Sequence, residues 1–566
     1  MRRFILGNAV KKAGLVAGIL FALTTFCLAA KPITIMPLGD SITEGGPAFK
    51  SYRMPLWELL VGHGYVVEFV GSRQSEERIG PLRHEGHSGK TAEFLAEHIA
   101  EFYRANPADV VLLHSGHNHF VEEKPVAGIL QATRKIVATI REINPHAVIL
   151  LAQPIPSGKQ PKYAYLPELS HALAAFAEED RAAQKPGGVR PVVLVDQAAN
   201  FDWRADTIDD HVHPNAVGAQ KIAQHWYEAL QSVLPAPAFP IPEPARFVYK
   251  RVGATELVLN VFQPNASAKL RPAPAVVYFF AGGWQQGTPI QFFRECARLA
   301  QRGVVGISAD YRIKSANGAT PFDSLADAKA AMRWVRAHAA ELGVDPTRIA
   351  AAGASAGGHL AAASAFVPGF DDSAADRKAE PINTSDSRME NGGGSKLRRD
   401  SAGPLTDDLP ASGSAATRTQ SMGISPPRVG RGVPAEPLRR DSSDTLESSC
   451  HPDALVLLYP VIDTGPNGYH GADFGEKGLA FSPLEHVSAP TPPTLLVVGT
   501  NDAVLPVGTA KAFQSRIQAQ GGRCEIFTYP GRGHPLWSYR SGEDEVSRDV
   551  DAKTDAFLES LGWILR

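Results

Sequence analysis

The sequence predicts two α/β domains in series, each a mainly parallel sheet flanked by helices. Three observations carry that prediction. Short apolar runs alternate with amphipathic ones from Pro32 to Leu234, the same alternation restarts beyond residue 245, and between them lies "PAPAFPIPEPA", in which five of eleven residues are proline. A chain of 566 residues also exceeds what one hydrophobic core normally holds.

The first thirty residues combine Arg2, Arg3, Lys11 and Lys12 with an apolar run ending in small residues, the layout of a secretory signal. The expectation is export, to the periplasm or beyond the cell. The run from Ala13 to Ala30 is also long enough for an uncleaved anchor, whereas Phe26 before Cys27 argues against a lipoprotein signal. Without the signal three cysteines remain, Cys296, Cys450 and Cys524, an odd and scattered set that gives no disulfide framework. A net charge of −2 supplies no electrostatic reason to expect nucleic acid or an anionic membrane as partner. Oligomeric state is not readable.

In the first domain, residues 31–234, "ITIMP", "VVEFVG", "DVVLLHSG", "AVILLAQP" and "VVLVD" read as buried strands. "TAEFLAEHIAEFYRAN" and "ILQATRKIVATIREIN" carry helical periodicity between them. Strands alternating with helices imply a parallel sheet covered on both faces. The proline-rich segment, residues 235–245, favours extended polyproline geometry and is expected to act as a stiff spacer. In the second domain, residues 246–566, "AVVYFF", "VVGISADY", "IAAAG", "ALVLLYP", "TLLVVG" and "CEIFTYP" read as strands. Residues 371–452 interrupt it with Ser, Gly, Pro, Asp and Arg and few apolar side chains, so a disordered surface insertion is expected there. The short echo "LRRDS" at Leu397 and Leu438 is too brief for a structural repeat.

Each domain holds a candidate serine nucleophile. Ser41 follows the first strand in "MPLGDSITEGG", at the sheet edge where open α/β folds gather ligands. Alone it reads equally well as a helix cap. "DDHVHPN" adds Asp210 and His213, three residues apart, so that one turn can let the carboxylate orient the imidazole. Candidate donors to a developing oxyanion are the backbone N–H groups of Ser41 and of Gly89 in "HEGHSGKT", and the amide of Asn118 in "HSGHNHF". Histidines 84, 87, 114, 117, 119, 211 and 213 are expected around the same rim, but no zinc spacing with an acidic or cysteine partner occurs, and hydrogen bonding is the expected role for most of them.

"IMPLGDSITEG", "SYR" at Ser51 to Arg53, "HEGHSG" and "DDHVHPN" resemble the motif blocks of SGNH hydrolases, above all the carbohydrate esterase family 3 acetylxylan esterases. The resemblance spans roughly residues 32–232 and implies Ser41 as nucleophile, Gly89 and Asn118 as oxyanion donors, and Asp210 with His213 as the rest of a triad. The block that usually reads Gly-x-Asn-Asp is here Gly116, His117, Asn118, His119, which keeps the amide and loses the carboxylate behind it.

In the second domain "RIAAAGASAGGHLAAASA" runs from a strand through Gly-x-Ser-x-Gly into an Ala-rich helix, the strand-turn-helix context that exposes a nucleophile, here Ser355. Gly282 and Gly283 in "VVYFFAGGWQQG", with the N–H of Ala356, are the candidate oxyanion donors, while Asp502 in "GTNDAVLP" and His534 in "GRGHPLW" each follow a strand. The order Ser, Asp, His is that of α/β-hydrolases. From Phe247 onward the chain resembles the acetyl esterase/lipase branch of that superfamily, in "SADYR", "LGVDPTRIAAAGASAGGHLAA" and "PPTLLVVGTND", although "FAGGW" departs from the usual His-Gly-Gly-Gly-Trp.

The two resemblances imply an exported two-domain serine esterase that removes acetyl or related acyl groups from plant polysaccharides such as xylan, without metal or organic cofactor and without a membrane partner once the signal is gone. Two other readings stand beside it. The first domain can be a catalytically weak carbohydrate-binding module, and the second a serine peptidase, since the same triad serves both chemistries.

Overall fold

A computed structural model describes residues 31–184, 188–265, 272–371, 449–536 and 544–565. The segment read as a signal, and all but the ends of the segment read as an insertion, lie outside the described residues. The chain divides into two compact units, residues 1–241 with 535–555, and residues 242–534 with 556–566.

The first unit contains strands β1 (Ile33–Gly39), β2 (Val67–Phe69), β3 (Arg73–Glu77), β4 (Gly80–Gly86), β5 (Val110–His114), β6 (Val148–Gln153) and β7 (Val193–Asp196). Its helices are α1 (Ser41–Glu44), α2 (Arg53–Gly62), α3 (Ala92–Ala105), α4 (Val126–Ile143), α5 (Leu166–Ala183), α6 (Trp203–Asp206) and α7 (Ala216–Val233). The strand order is β3-β4-β1-β5-β6-β7, with β2 sharing the β4 edge of β1 nearer its start. Alternate residues of the central strands supply two separate cores: Met36, Leu38, Val111 and Leu113 point to one, Ile35, Val110 and Leu112 to the other. That two-sided burial is what a continuous apolar strand requires. α3 shows why the covering helices form: Thr91 caps its start by accepting from the Phe94 N–H, and Leu95, Ala96, Ile99 and Tyr103 lie buried at helical spacing.

The sheet is mainly parallel, as expected, with one antiparallel pair. β3 and β4 form an antiparallel hairpin at one edge. β3, "RQSEE", has no buried residue and therefore no apolar pattern to announce it.

The residues read as a spacer are partly docked on the first unit. Ile241 is buried in the first unit and its N–H donates to His63 O, while a Cβ on Gly64 would fall 2.2 Å from Phe239 O.

The second unit contains β8 (Ala245–Val252), β9 (Thr255–Phe262), β10 (Ala273–Phe279), β11 (Val305–Ala309), β12 (Val344–Ala354), β13 (Ala454–Leu458), β14 (Thr494–Gly499) and β15 (Cys524–Tyr529). Its helices are α8 (Phe293–Gln301), α9 (Lys314–Asn317), α10 (Pro321–Ala337), α11 (Ala356–Phe366), α12 (Gly471–Phe474), α13 (Lys477–Phe481) and α14 (Val507–Ala519); α15 (Glu545–Ser560) follows. The eight strands run β15-β14-β13-β12-β10-β11-β9-β8. β8 and β9 pair antiparallel, as do β9 and β11, and the other pairs are parallel.

Both sheets reverse their direction of winding once, between β1 and β5 in the first and between β10 and β12 in the second. The loops leaving such neighbouring strands diverge and open a crevice at their carboxyl ends. Ser41 follows β1 and Ser355 follows β12.

Candidate active sites

Ser41 is held at the mouth of the first crevice by the local chemistry of "GDS". Asp40 caps α1 by accepting from the Ile42 N–H at 3.0 Å, which turns the chain sharply at the strand end. The Asp40 carboxyl is completely buried, and burial raises it above the ordinary carboxylate value against the opposing pull of His117. His213 arrives from a turn pinned twice. Asn215 caps α7 by accepting from Val217 and Gly218, and Asp210 Oδ1 accepts the backbone N–H groups of Val212 and His213. Asp210 Oδ2 lies 2.5 Å from His213 Nδ1, and His213 Nε2 lies 2.9 Å from Ser41 Oγ. Burial alone would raise the Asp210 carboxyl, but these hydrogen bonds outweigh it and hold it below the ordinary range. A carboxylate so held stabilises an imidazolium beside it.

Gly89 lies in a turn in which the Lys90 N–H donates to His87 O, with φ of 73°. Glu44 secures that turn, one carboxylate oxygen accepting the Ser88 N–H at 2.6 Å and the other bonding Arg73. Asn118 reaches the same turn, its Nδ2 donating to Lys90 O at 2.8 Å. The two predicted oxyanion donors thus sit on one cross-linked pair of loops.

Two participants have no role in the sequence reading. Phe49 stacks on the His213 ring, centroids 4.2 Å apart and planes 24° from parallel. Arg53, completely buried, donates to Thr43 O, Leu82 O, Glu44 O and Ser75 Oγ, and so ties the segment after Ser41 to the β3-β4 hairpin. Its presence in "SYR" was the available signal. Beside Phe49 a cleft of about 290 Å³ runs between residues 44–51 and β3, lined by Glu44, Phe49, Lys50, Gln74, Glu76 and Glu77 among others.

The seven histidines do not share one role. His84 accepts from the Gly86 N–H, His87 bonds Glu85, His117 donates to Ile155 O, and His119 lies between Glu93 and Glu123. His114 is fully buried, and His211 occupies a turn with φ of 58°. Among the described residues no three or more His, Cys, Asp or Glu come together as a metal site.

In the second unit Ser355 adopts φ 52° and ψ −119°, the left-handed strain of a nucleophile turn. The glycines around it are dictated by packing. A Cβ on Gly357 would fall 2.0 Å from Phe279 O, and one on Gly353 would fall 2.5 Å from the Gly357 carbonyl. That closeness brings the start of α11, with Ala356, against the end of β10, from which Gly282 (φ 139°) and Gly283 (φ 62°) follow. His534 Nε2 lies 2.8 Å from Ser355 Oγ and its Nδ1 2.9 Å from Asp502 Oδ2. Asp502 Oδ1 accepts from the Val504 and Leu505 N–H groups, which fixes the carboxylate as its counterpart is fixed in the first unit. Tyr459, at φ 38°, sets its ring edge-on to His534, centroids 5.0 Å apart. Trp284, next to Gly283, is buried against His359 and Phe481.

Comparison with known proteins agrees with the two folds. Residues 38–221 match the GDSL-like lipase/acylhydrolase family, residues 259–388 the BD-FAE family, and residues 465–562 the prolyl oligopeptidase family. The N-terminal domain is a GDSL-like (SGNH) domain and the C-terminal domain an α/β-hydrolase domain. Among similar proteins, esterase LipC of Mycobacterium tuberculosis is 29% identical over 269 residues, 47% of this chain and 53% of its own. Carboxylesterase NlhH of the same organism is 41% identical over 114 residues, 19% of this chain and 34% of its own. The chain spans about half the length of the first curated relatives it matches. The apo form of esterase 2 of Thermogutta terrifontis covers 59% of this chain and 100% of its own at 29% identity, with a TM-score of 0.42.

Proposed function

We propose that the protein is a carboxylic ester hydrolase with two independent active sites. The observation that carries this reading is the assembly of two complete Ser-His-Asp relays, with serine-to-imidazole distances of 2.9 and 2.8 Å. In each, the serine oxygen attacks the ester carbonyl carbon while its proton passes to Nε2 of the histidine. The carbonyl oxygen becomes negative and is met by N–H donors: Gly89 and Asn118 in the first site, Gly282, Gly283 and Ala356 in the second. The ester C–O bond then breaks, the histidine hands its proton to the departing alcohol, and an acyl-serine remains. Water attacks that acyl group with the same histidine as base, and the carboxylic acid leaves.

The acyl group in this reading is acetyl or a close relative, and the alcohol a hydroxyl of a plant cell-wall polysaccharide such as xylan. What supports it is the resemblance of the first domain to carbohydrate esterase family 3 and an N-terminal segment composed like a secretory signal, since such polymers are met outside the cell. Among the described residues no helix is long and apolar enough to cross a membrane.

The test is acetate release from 4-nitrophenyl acetate and from acetylated xylan by Ser41→Ala, Ser355→Ala and the double variant. Each single variant is expected to keep part of the activity and the double variant almost none. A Ser41→Ala protein indistinguishable from the parent would instead make the first domain a binding module. The prolyl oligopeptidase match, whose span holds Asp502 and His534, favours a second reading for the other domain. Peptide 4-nitroanilide turnover that disappears in Ser355→Ala would establish a peptidase there.

A further inference from the structure

The residue after Asn118 is where this chain leaves the usual SGNH block, and its surroundings are unlike those of the other histidines. His119 has a carboxylate at each ring nitrogen: Glu123 Oε2 at 3.0 Å from Nδ1 and Glu93 Oε2 at 3.1 Å from Nε2. A neutral imidazole carries one N–H and one lone pair, so it can satisfy only one of these contacts. With both glutamates ionised, both are hydrogen bonds only when the ring is an imidazolium.

The two glutamates come from different elements. Glu93 is in the first turn of α3 and Glu123 in the 3-10 turn Val121–Glu123. α3 begins two residues after Lys90, and Lys90 O accepts the Asn118 amide at 2.8 Å. A closed ring results: Asn118 to Lys90 through the amide, Lys90 to Glu93 through the backbone, Glu93 to His119 through the imidazole, and His119 back to Asn118 through one peptide bond. Both candidate oxyanion donors belong to it or adjoin it, since Gly89 precedes Lys90.

We propose that His119 is a positioning residue whose imidazolium, clamped between Glu93 and Glu123, fixes Asn118 relative to Gly89 for oxyanion stabilisation at the Ser41 site. The proposal rests on the reading of that site as an esterase. Other charged or titratable groups near the clamp are Lys162, which acts on Glu123, and Tyr165, whose hydroxyl donates to Gly116 O at 2.7 Å and meets the His119 backbone. α4 presents Gly128 to Glu93 and has no acidic residue in its first turn. The hydrogen bond from His119 holds the Glu123 carboxyl below its ordinary value.

In the Ser355→Ala protein, where ester turnover reports the first domain alone, His119→Ala should lower kcat for 4-nitrophenyl acetate roughly ten- to a hundredfold with KM little changed. The ceiling is the 10²–10³-fold typical of losing one oxyanion donor. Adding Asn118→Ala should cost no more than Asn118→Ala alone, because His119 works through that amide. Glu123→Gln, whose amide can donate to a bare ring nitrogen, should lose less than His119→Ala. Independent multiplication of the two alanine effects would overturn the proposal. A second measurement does not depend on turnover: ¹⁵N spectra of histidine-labelled protein, assigned by loss of the signals in His119→Gln, should show both ring nitrogens protonated at pH 6. One bare nitrogen at that pH would sink the clamp even if the esterase reading stands. If Ser355→Ala hydrolyses no ester while both nitrogens are protonated, the esterase reading of the first domain fails and the clamp survives as a structural feature.

Discussion

Asp210 grips His213 twice, through the imidazole Nδ1 at 2.5 Å and the backbone N–H at 2.9 Å, and holds the same turn a third time through the Val212 N–H at 2.9 Å. One carboxylate therefore sets the ring's position and its tautomer together. The tautomer matters because Nε2 must be bare to accept the Ser41 proton.

Asp210→Asn should separate those two jobs. An asparagine oxygen can keep the backbone contacts, but its NH₂ facing Nδ1 forces the proton to Nε2, where it blocks the serine. The expected result, in a Ser355→Ala background, is a kcat lower by about 10³–10⁴-fold with KM and the thermal midpoint nearly unchanged. A fall of less than tenfold would mean that Asp210 does not set the tautomer.

Phe49 should contribute to the same alignment by a different force. Its ring lies on His213 at 4.2 Å, and aromatic stacking of this kind is worth about 0.5–1.5 kcal/mol beyond burial. Phe49→Ala should therefore cost about two- to tenfold in kcat, while Phe49→Tyr should retain most of the rate. An increase in kcat on removing the ring would show that the stack restrains the imidazole away from its working position.

The two relays were legible in the sequence to different depths. Ser355 directly follows β12, and Asp502 and His534 lie in the loops that leave β14 and β15, so topology brings them together once the strand order is known. Asp210 and His213 sit in a turn, where their three-residue spacing and the "DDHVHPN" block are the signals. Phe49 was invisible, because a phenylalanine in a polar loop carries no periodicity. The same cause hid β3, whose side chains are exposed or half-exposed, whereas "VVLLH" and "ALVLL" could hardly be anything but interior strands. In the sequence His119 reads as one rim histidine among seven and as a missing carboxylate. Of the two glutamates that face it, Glu123 lies 4 residues on, while Glu93 lies 26 away, a separation no local pattern reports.

The glycines near the nucleophiles should respond unequally to alanine. At Gly357 a Cβ would sit 2.0 Å from Phe279 O and 2.5 Å from Phe280 O, backbone atoms that cannot rotate away. Gly357→Ala should cost more than about 3 kcal/mol, or prevent folding of the second domain, as overpacking of rigid neighbours does. At Gly89 nothing lies within 4 Å of the same atom, and only φ of 73° opposes a side chain. Gly89→Ala should cost about 1–2 kcal/mol. Chemical denaturation of the two variants decides the matter, and equal midpoints would contradict the packing argument.

Acid should destabilise the protein before its carboxylates titrate. Burial pushes His84, His114 and His359 down to about 3, so each remains neutral in the folded chain at pH values where the unfolded chain has protonated it. Between the ordinary imidazole value and about 3 the unfolded state thus binds more protons, and stability must rise with pH there and fall as pH drops, by about 1.4 kcal/mol per pH unit for each such histidine. Asp210, held below the ordinary carboxylate range, adds its own loss only at the acid end, as pH falls through its folded value. His84 offers the clean test, because its Nδ1 accepts the Gly86 N–H at 3.0 Å and an asparagine oxygen can take that place without titrating. His84→Asn should leave stability near neutrality close to that of the parent and lose less between pH 6 and pH 4, followed by thermal unfolding at fixed ionic strength. A variant that tracks the parent across the whole range would mean that His84 gains its proton in the folded state as readily as in the unfolded one, and the burial argument would fail at that residue.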